Sequence, residues 1–315
     1  MTRCPAALLL ALLGPQDPAA PFRWKVDLNS GFTMQFSLHE QRRSNVVQKG
    51  VGTLGTTHQT SGILDEKREI HAELSYRELP GRPWSLAVAL KKVTWTRVTE
   101  EAEIAVTLVE GKEPQARVSV RERDKLRIQT ARMNAEQQAE HMKRLLTGEY
   151  DLVPERSGRV TFARAGAVDA GFSLFGRAFV QPPAPSEPLA AGLSWKEPLS
   201  PEWPGQSESG LTELCYRVAS LDEKAVTVKG TAAGPLTRPS VPGTALNGSF
   251  ALEREFVFST DGHVQSSREE FSYRKTASRQ EKFFGGTTTT EENVSVSLRQ
   301  SLTLKPKRTG TGQNP

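Results

Sequence analysis

From Asn247 to Leu304 apolar side chains recur at every second position. Phe250, Leu252, Phe256, Phe258 and Val264 share one parity, and Val294, Val296, Leu298, Leu302 and Leu304 take it up again. Successive side chains point to opposite faces of a strand, so a period of two places each set on one face of a sheet. Ala251, Glu253, Glu255, Ser295, Ser297 and Arg299 fall on the other, wetter face. Thr260-Asp261-Gly262-His263 supplies a turn, because glycine adopts positive φ at little steric cost. A stretch patterned in this way folds as antiparallel sheet with one greasy and one solvated side.

The same alternation runs through the rest of the chain. Phe22, Trp24, Val26 and Leu28 share a parity, as do Phe32, Met34, Phe36 and Leu38, with Asn29-Ser30-Gly31 between them as a turn or bulge. Residues 44–64 carry a weaker strand pattern bent at Gly50, Gly52, Gly55 and Gly62. Ile70–Tyr76, Trp84–Leu90 and Ile104–Leu108 alternate cleanly, whereas Val93, Trp95, Arg97 and Val98 do so less regularly. Val118, Val120, Leu126 and Ile128 are expected to supply the last strands of this half. Further on, Leu214–Val218 and Ala225–Val228 read as strands, while 200–210, 232–243 and 285–292 read as loops. One helix is predicted over 134–147. Asn134 would cap it, Gln137 would complete a capping box, and Ala135, Ala139, Met142 and Leu146 would form its apolar stripe. The expected class is therefore α+β and mostly β, with long curved antiparallel sheets packed around one main helix.

Residues 1–20 resemble an export signal: Arg3 precedes the short apolar run Ala6–Leu13, Gly14-Pro15 breaks it, and Ala19-Ala20 offers a small-residue cleavage zone. The expected organisation continues with an N-terminal β-rich half over 21–180 that carries the helix. A Pro-rich linker over 181–210, a C-terminal antiparallel half over 211–305 and a tail over 306–315 follow. Two segment pairs recur in order. Gly148-Glu149-Tyr150-Asp151-Leu152 parallels Gly248-Ser249-Phe250-Ala251-Leu252, and Trp24–Leu28 parallels Trp195–Leu199, which points to two related halves.

Composition narrows the function classes. A net charge of +5 and a pI near 9.2 invite a nucleic-acid reading, yet 41 basic residues are interleaved with 36 acidic ones. Nucleic-acid binders need a basic stripe that neutralises several phosphates. The uncompensated run Lys305-Pro306-Lys307-Arg308 lies at the tail. The apolar run at the N-terminus is far shorter than the ~20 residues that span a bilayer. Cys4 falls within the leader-like segment, so Cys215 is left without an intramolecular partner and reads as a small buried hydrophobe.

Constellations for chemistry do not emerge. His39, His58, His71, His141 and His263 lack the spacing of metal sites, and no nucleophile elbow or phosphate-binding loop occurs. Glu269-Glu270 and Glu291-Glu292 would face opposite sides of a strand, and they read as solvated faces. No catalytic, cofactor or metal residue is assigned, and a hydrolase would need a site assembled from distant residues. The clue with functional content is one of area: several strands present greasy faces and one helix cannot cover them. If closure is incomplete, Phe250, Leu252, Phe256 and Phe258 form a candidate apolar ligand face; if complete, they are core.

The leader-like start, the tryptophan strand near the head of each half and the Gly–aromatic–Leu strands ending in a Gly-basic-Val turn resemble a bacterial family. It comprises secreted or lipoprotein-like domains of unknown function. The resemblance implies a duplicated, β-rich envelope protein with no catalytic residues to transfer. The expectation is a non-enzymatic binding or interaction module, exported to the periplasm or beyond, with another envelope protein or a lipid as partner. A carrier of lipid or another apolar ligand is the alternative.

Overall fold

The computed structural model describes residues 32–52, 57–79, 82–121, 125–147, 150–154, 160–162, 185, 187–199, 203–260, 262–283 and 286–306. The expected leader, the Phe22–Leu28 strand and the tail beyond Pro306 lie outside them. The strands are β1 (Phe32–Gly52), β2 (Thr57–Leu79), β3 (Arg82–Thr99), β4 (Ala102–Val109), β5 (Gln115–Val120), β6 (Tyr150–Pro154) and β7 (Val160–Phe162). After these come β8 (Ser194–Pro198), β9 (Glu213–Leu221), β10 (Ala225–Pro235), β11 (Ala245–Ser259), β12 (Val264–Phe283) and β13 (Gly286–Pro306). They form one antiparallel sheet in the order β5-β4-β3-β2-β1-β13-β12-β11-β10-β9-β8, with β6 and β7 branching from β3. All but one of the steps along this path join strands consecutive in sequence. The exception is the β1–β13 ladder, which pairs Phe32 with Pro306 and Gly52 with Gly286 and makes the two expected halves one sheet.

Alternation decides which face is buried. Met34, Phe36 and Leu38 of β1, Ile70, Ala72 and Leu74 of β2, and Ile104 and Val106 of β4 point inward with Phe250, Leu252, Phe256 and Phe258 of β11. Two bulges shift the parity. Leu90 pairs with Ala72 and Lys92 with His71, so Lys91 is an extra residue and the inward set of β3 moves to Val93 and Trp95. This is why the alternation after Leu90 is irregular in sequence. Likewise Phe258 pairs with Val264 and Val257 with Ser266, which moves the inward set of β12 to odd numbers: Glu269, Phe271, Tyr273 and Ala277.

The helix differs from expectation. α1 spans Lys125–Thr147, so Leu126 and Ile128 belong to it and not to a strand, and Asn134 is interior, not a cap. Its buried stripe is Ala131, Ala135, Ala139, Met142, Leu145 and Leu146, and small residues at i, i+4, i+8 let it lie close to β4 and β5. α1 thus packs against β4 and β5 at one end of the sheet. At the other end a strap from Trp203 through the four-residue α2 (Gln206–Ser209) to Leu211 lies over β11 and β12. The described part of 181–210 therefore holds an edge strand and a strap with buried Trp203, where a linker was expected.

Other loops expected from composition are strand. Thr287–Glu292 lies within β13, and β10 continues to Pro235. Thr287–Glu292 is polar on both faces, so it carries no apolar alternation to announce it. The proposed repeat segments have unlike surroundings: Tyr150–Leu152 lies on a side branch of β3, and Phe250–Leu252 lies in the main path. Cys215 is exposed, because Leu214, Tyr216 and Val218 take the inward positions of β9.

Candidate functional site

The four candidate ligand-face residues lie together on β11, and each is at most 6% exposed. Phe250 meets Phe271 edge-on at 5.4 Å, Phe256 stacks on Phe258 at 6.0 Å, and Trp203 of the strap covers Phe271 at 4.6 Å. In this arrangement the apolar face is filled by the protein's own side chains.

A polar row crosses that same inner face. Tyr216, Gly230, Arg254, Glu269 and Gln300 are in register across β9, β10, β11, β12 and β13. Gly230 makes room, since a Cβ there would stand 2.5 Å from the Tyr216 ring. Arg254 Nε donates to Glu269 Oε2 at 2.5 Å and its Nη1 donates to the Tyr216 hydroxyl at 3.1 Å. Gln300 Nε2 donates to Glu269 Oε1 at 2.6 Å, and Arg254 Cζ sits 5.8 Å from the centroid of the Trp203 ring. Burial pushes the Tyr216 hydroxyl up, so it stays protonated. Burial works against the charge of Arg254, but Glu269 and the Tyr216 hydroxyl together outweigh it and the guanidinium stays protonated. Buried charges persist only when paired in this way.

A second cluster fastens the strap. Glu208 of α2 accepts from Tyr273, from Ser240 at 2.8 Å and from Lys275 at 3.0 Å, and Lys275 also pairs with Glu292 at 2.8 Å. Burial pushes the Glu208 carboxyl up, but the Tyr273, Lys275 and Ser240 contacts together hold it below its ordinary value of 4.5. A carboxyl depressed on folding contributes stability above its unfolded pKa and loses it as pH falls through the folded one. Urea midpoints are therefore expected to fall below about pH 4.5. Glu208→Gln should flatten that part of the profile; an unchanged acid dependence would show that Glu208 is not its source.

The sequence reading missed both clusters. The signal for the first was Arg254, which shares the parity of Phe250, Leu252, Phe256 and Phe258. Glu269 was hidden by the bulge. His39 and His141 are exposed and His71 bonds Glu69 at 2.9 Å, while the side chain of His58 lies outside the described residues. Among the described residues no group of His, Cys, Asp and Glu could hold a metal ion, and no helix is long and apolar enough to cross a membrane.

The outer face carries a different feature, a groove of about 680 Å³ crossing β2, β1, β13, β12 and β11. Two in-register rows line it. One is Ile63, Asn45, Asn293, Thr276 and Asn247; the other is Asp65, Arg43, Ser295, Arg274 and Ser249. Arg43 Nε bonds Asp65 at 3.0 Å and Thr276 Oγ1 donates to Asn293 Oδ1 at 3.1 Å. Arg274 has no acidic partner among the described residues. A smaller cleft of about 210 Å³ on the same face, near His39 and His71, is lined by mixed charges that pair with one another, among them Glu69–His71 and Arg299–Glu270.

No family model and no curated protein matches the chain. Among solved structures, lipovitellin, studied for its lipid–protein interactions, is similar over 92% of this chain at 10% identity and a TM-score of 0.40. This chain spans about a quarter of lipovitellin, 26% of its length. An outer membrane channel from Pseudomonas putida F1 gives a TM-score of 0.21 at 10% identity, covering 92% of this chain and 100% of the channel. OccK7 (OpdD) from Pseudomonas aeruginosa gives 0.18 at 7% identity, covering 87% and 99%. At such TM-scores these likenesses assign neither a fold family nor a function.

Proposed function

We propose that the protein is a non-enzymatic binding module of the bacterial envelope that works through the polar outer face of its sheet. The observation that carries this reading is the groove across five strands, whose amides, hydroxyls and Arg274 face solvent while the inner face is filled. Export rests on the leader-like residues 1–20, and the envelope on the resemblance of the strand motifs to secreted bacterial domains. Asn45 and Asn293 are exposed, so an Asn45→Ala/Asn293→Ala variant tests the surface without touching the core. Wild-type protein is expected to co-sediment with isolated envelope fragments, and the variant to remain mainly in the supernatant at unchanged circular dichroism. Equal sedimentation of the two would overturn the reading.

A second reading has one observation in its favour. The strap over the apolar face is held by Glu208 and by Trp203 packing, not by continuous strand pairing, so its release would uncover Phe250, Leu252, Phe256 and Phe258. A carrier of lipid or another apolar ligand would use that opening. Native purification followed by mass spectrometry decides it: near-stoichiometric lipid supports a carrier, and none sinks it.

A further inference from the structure

We infer that the outer groove is a site for an acidic saccharide, an inference that rests on the binding-module reading above and names its ligand. One of its two rows is dominated by side chains of one kind. Asn45, Asn293, Thr276 and Asn247 form a transverse row of neutral amides and a hydroxyl on four neighbouring strands. Neighbouring strands stand about 4.8 Å apart, so donors and acceptors repeat at roughly the length of one sugar ring. An amide offers both a donor pair and an acceptor, which matches the vicinal hydroxyls of a sugar. These side chains are short and neutral, so fixing them costs little conformational entropy and no charge is desolvated. Arg274 adds one guanidinium, with no acidic partner among the described residues, to receive a carboxylate in a bidentate fashion.

Other ligand chemistries fit less well. A nucleic acid requires several cations in a stripe. Here Arg43 is already paired with Asp65, and Lys275 is turned inward to Glu208 and Glu292. A protein partner would meet a core of aromatic anchors. The groove lining contains no aromatic, and its large exposed apolar side chain is Ile63, 46% exposed. An acyl chain would leave the amides and hydroxyls of Asn45, Asn293, Thr276 and Asn247 without partners. A small inorganic anion would engage Arg274 and leave the amide row unused.

Isothermal titration with an oligogalacturonate, a neutral cello-oligosaccharide of equal length and inorganic phosphate tests the assignment. The acidic oligosaccharide is expected to bind more tightly than the neutral one, with phosphate far weaker than either. Asn293→Ala should weaken both saccharides about five- to tenfold. Arg274→Gln should leave the neutral ligand unchanged and remove the preference for the acidic one. Failure of both saccharides to bind, tighter binding of phosphate, or binding indifferent to Asn293→Ala would overturn the inference. If envelope sedimentation still depends on Asn45 and Asn293 in that case, the ligand class falls and the binding surface stands. If sedimentation is independent of them as well, both fall.

Discussion

Replacing Arg254 by alanine is expected to destabilise the protein by about 3–5 kcal/mol, read as a lower urea midpoint at unchanged slope. The cost is mostly that of what remains. Glu269 is 5% exposed, and without Arg254 it would keep its charge buried with Gln300 as its remaining side-chain donor in that row. The hydroxyl of Tyr216 would lose the Nη1 donor, and the Trp203 ring the cation that it faces. Arg254→Lys should recover little, since one ammonium cannot reproduce the guanidinium fork between Glu269 and Tyr216. Arg254→Met with Glu269→Leu is expected to be less destabilised than Arg254→Ala, because an apolar pair of similar volume removes the buried charge, while the Tyr216 hydroxyl and the Gln300 amide still lose a partner. A single Arg254→Ala variant within 1 kcal/mol of wild type would mean that the row is open to water.

Trp203→Ala is expected to cost about 3–5 kcal/mol as well, for a different reason. Trp203 is 4% exposed and stands on Phe271 and Arg254 at once. Its strap is short and tightly turned: Gly205 has φ of +75°, and a Cβ there would stand 2.1 Å from the Tyr273 ring. Dye binding to exposed apolar surface should rise along with the loss of stability, and Trp203→Phe should restore most of it. A variant that loses neither stability nor the exclusion of dye would show that the strap does not seal the face.

Strand content and facing were legible wherever one side of a strand is greasy. Phe250, Leu252, Phe256 and Phe258 announce both the strand and its inward side, and so do Met34, Phe36 and Leu38. Reading failed where the physical signal is of another kind. Thr287–Glu292 is strand by virtue of pairing with β1 and β12, and polar residues on both faces leave no period to detect. The first turns of α1 were mistaken for strand because Leu126 and Ile128 alternate over too short a run. The groove could not be read at all. Asn45, Asn293 and Asn247 are remote in sequence, and only the register of β1 on β13 and β12 on β11 brings them into line.

The ladder between β1 and β13 also sets the order in which the fold can assemble. Ser37 and Ser301, hydrogen-bonded at 2.9 Å, are 264 residues apart. During synthesis β1 can pair with β2 soon after both emerge, but its other edge stays open until 286–306 has been made. A 21-residue strand with unmade backbone hydrogen bonds is a template for wrong partners. Because the long loop must be closed before its contacts form, closure of this central seam is expected to be the slow step. The rows of serine, asparagine and paired charge on β1 then have a second role: they keep the waiting edge soluble until β13 arrives.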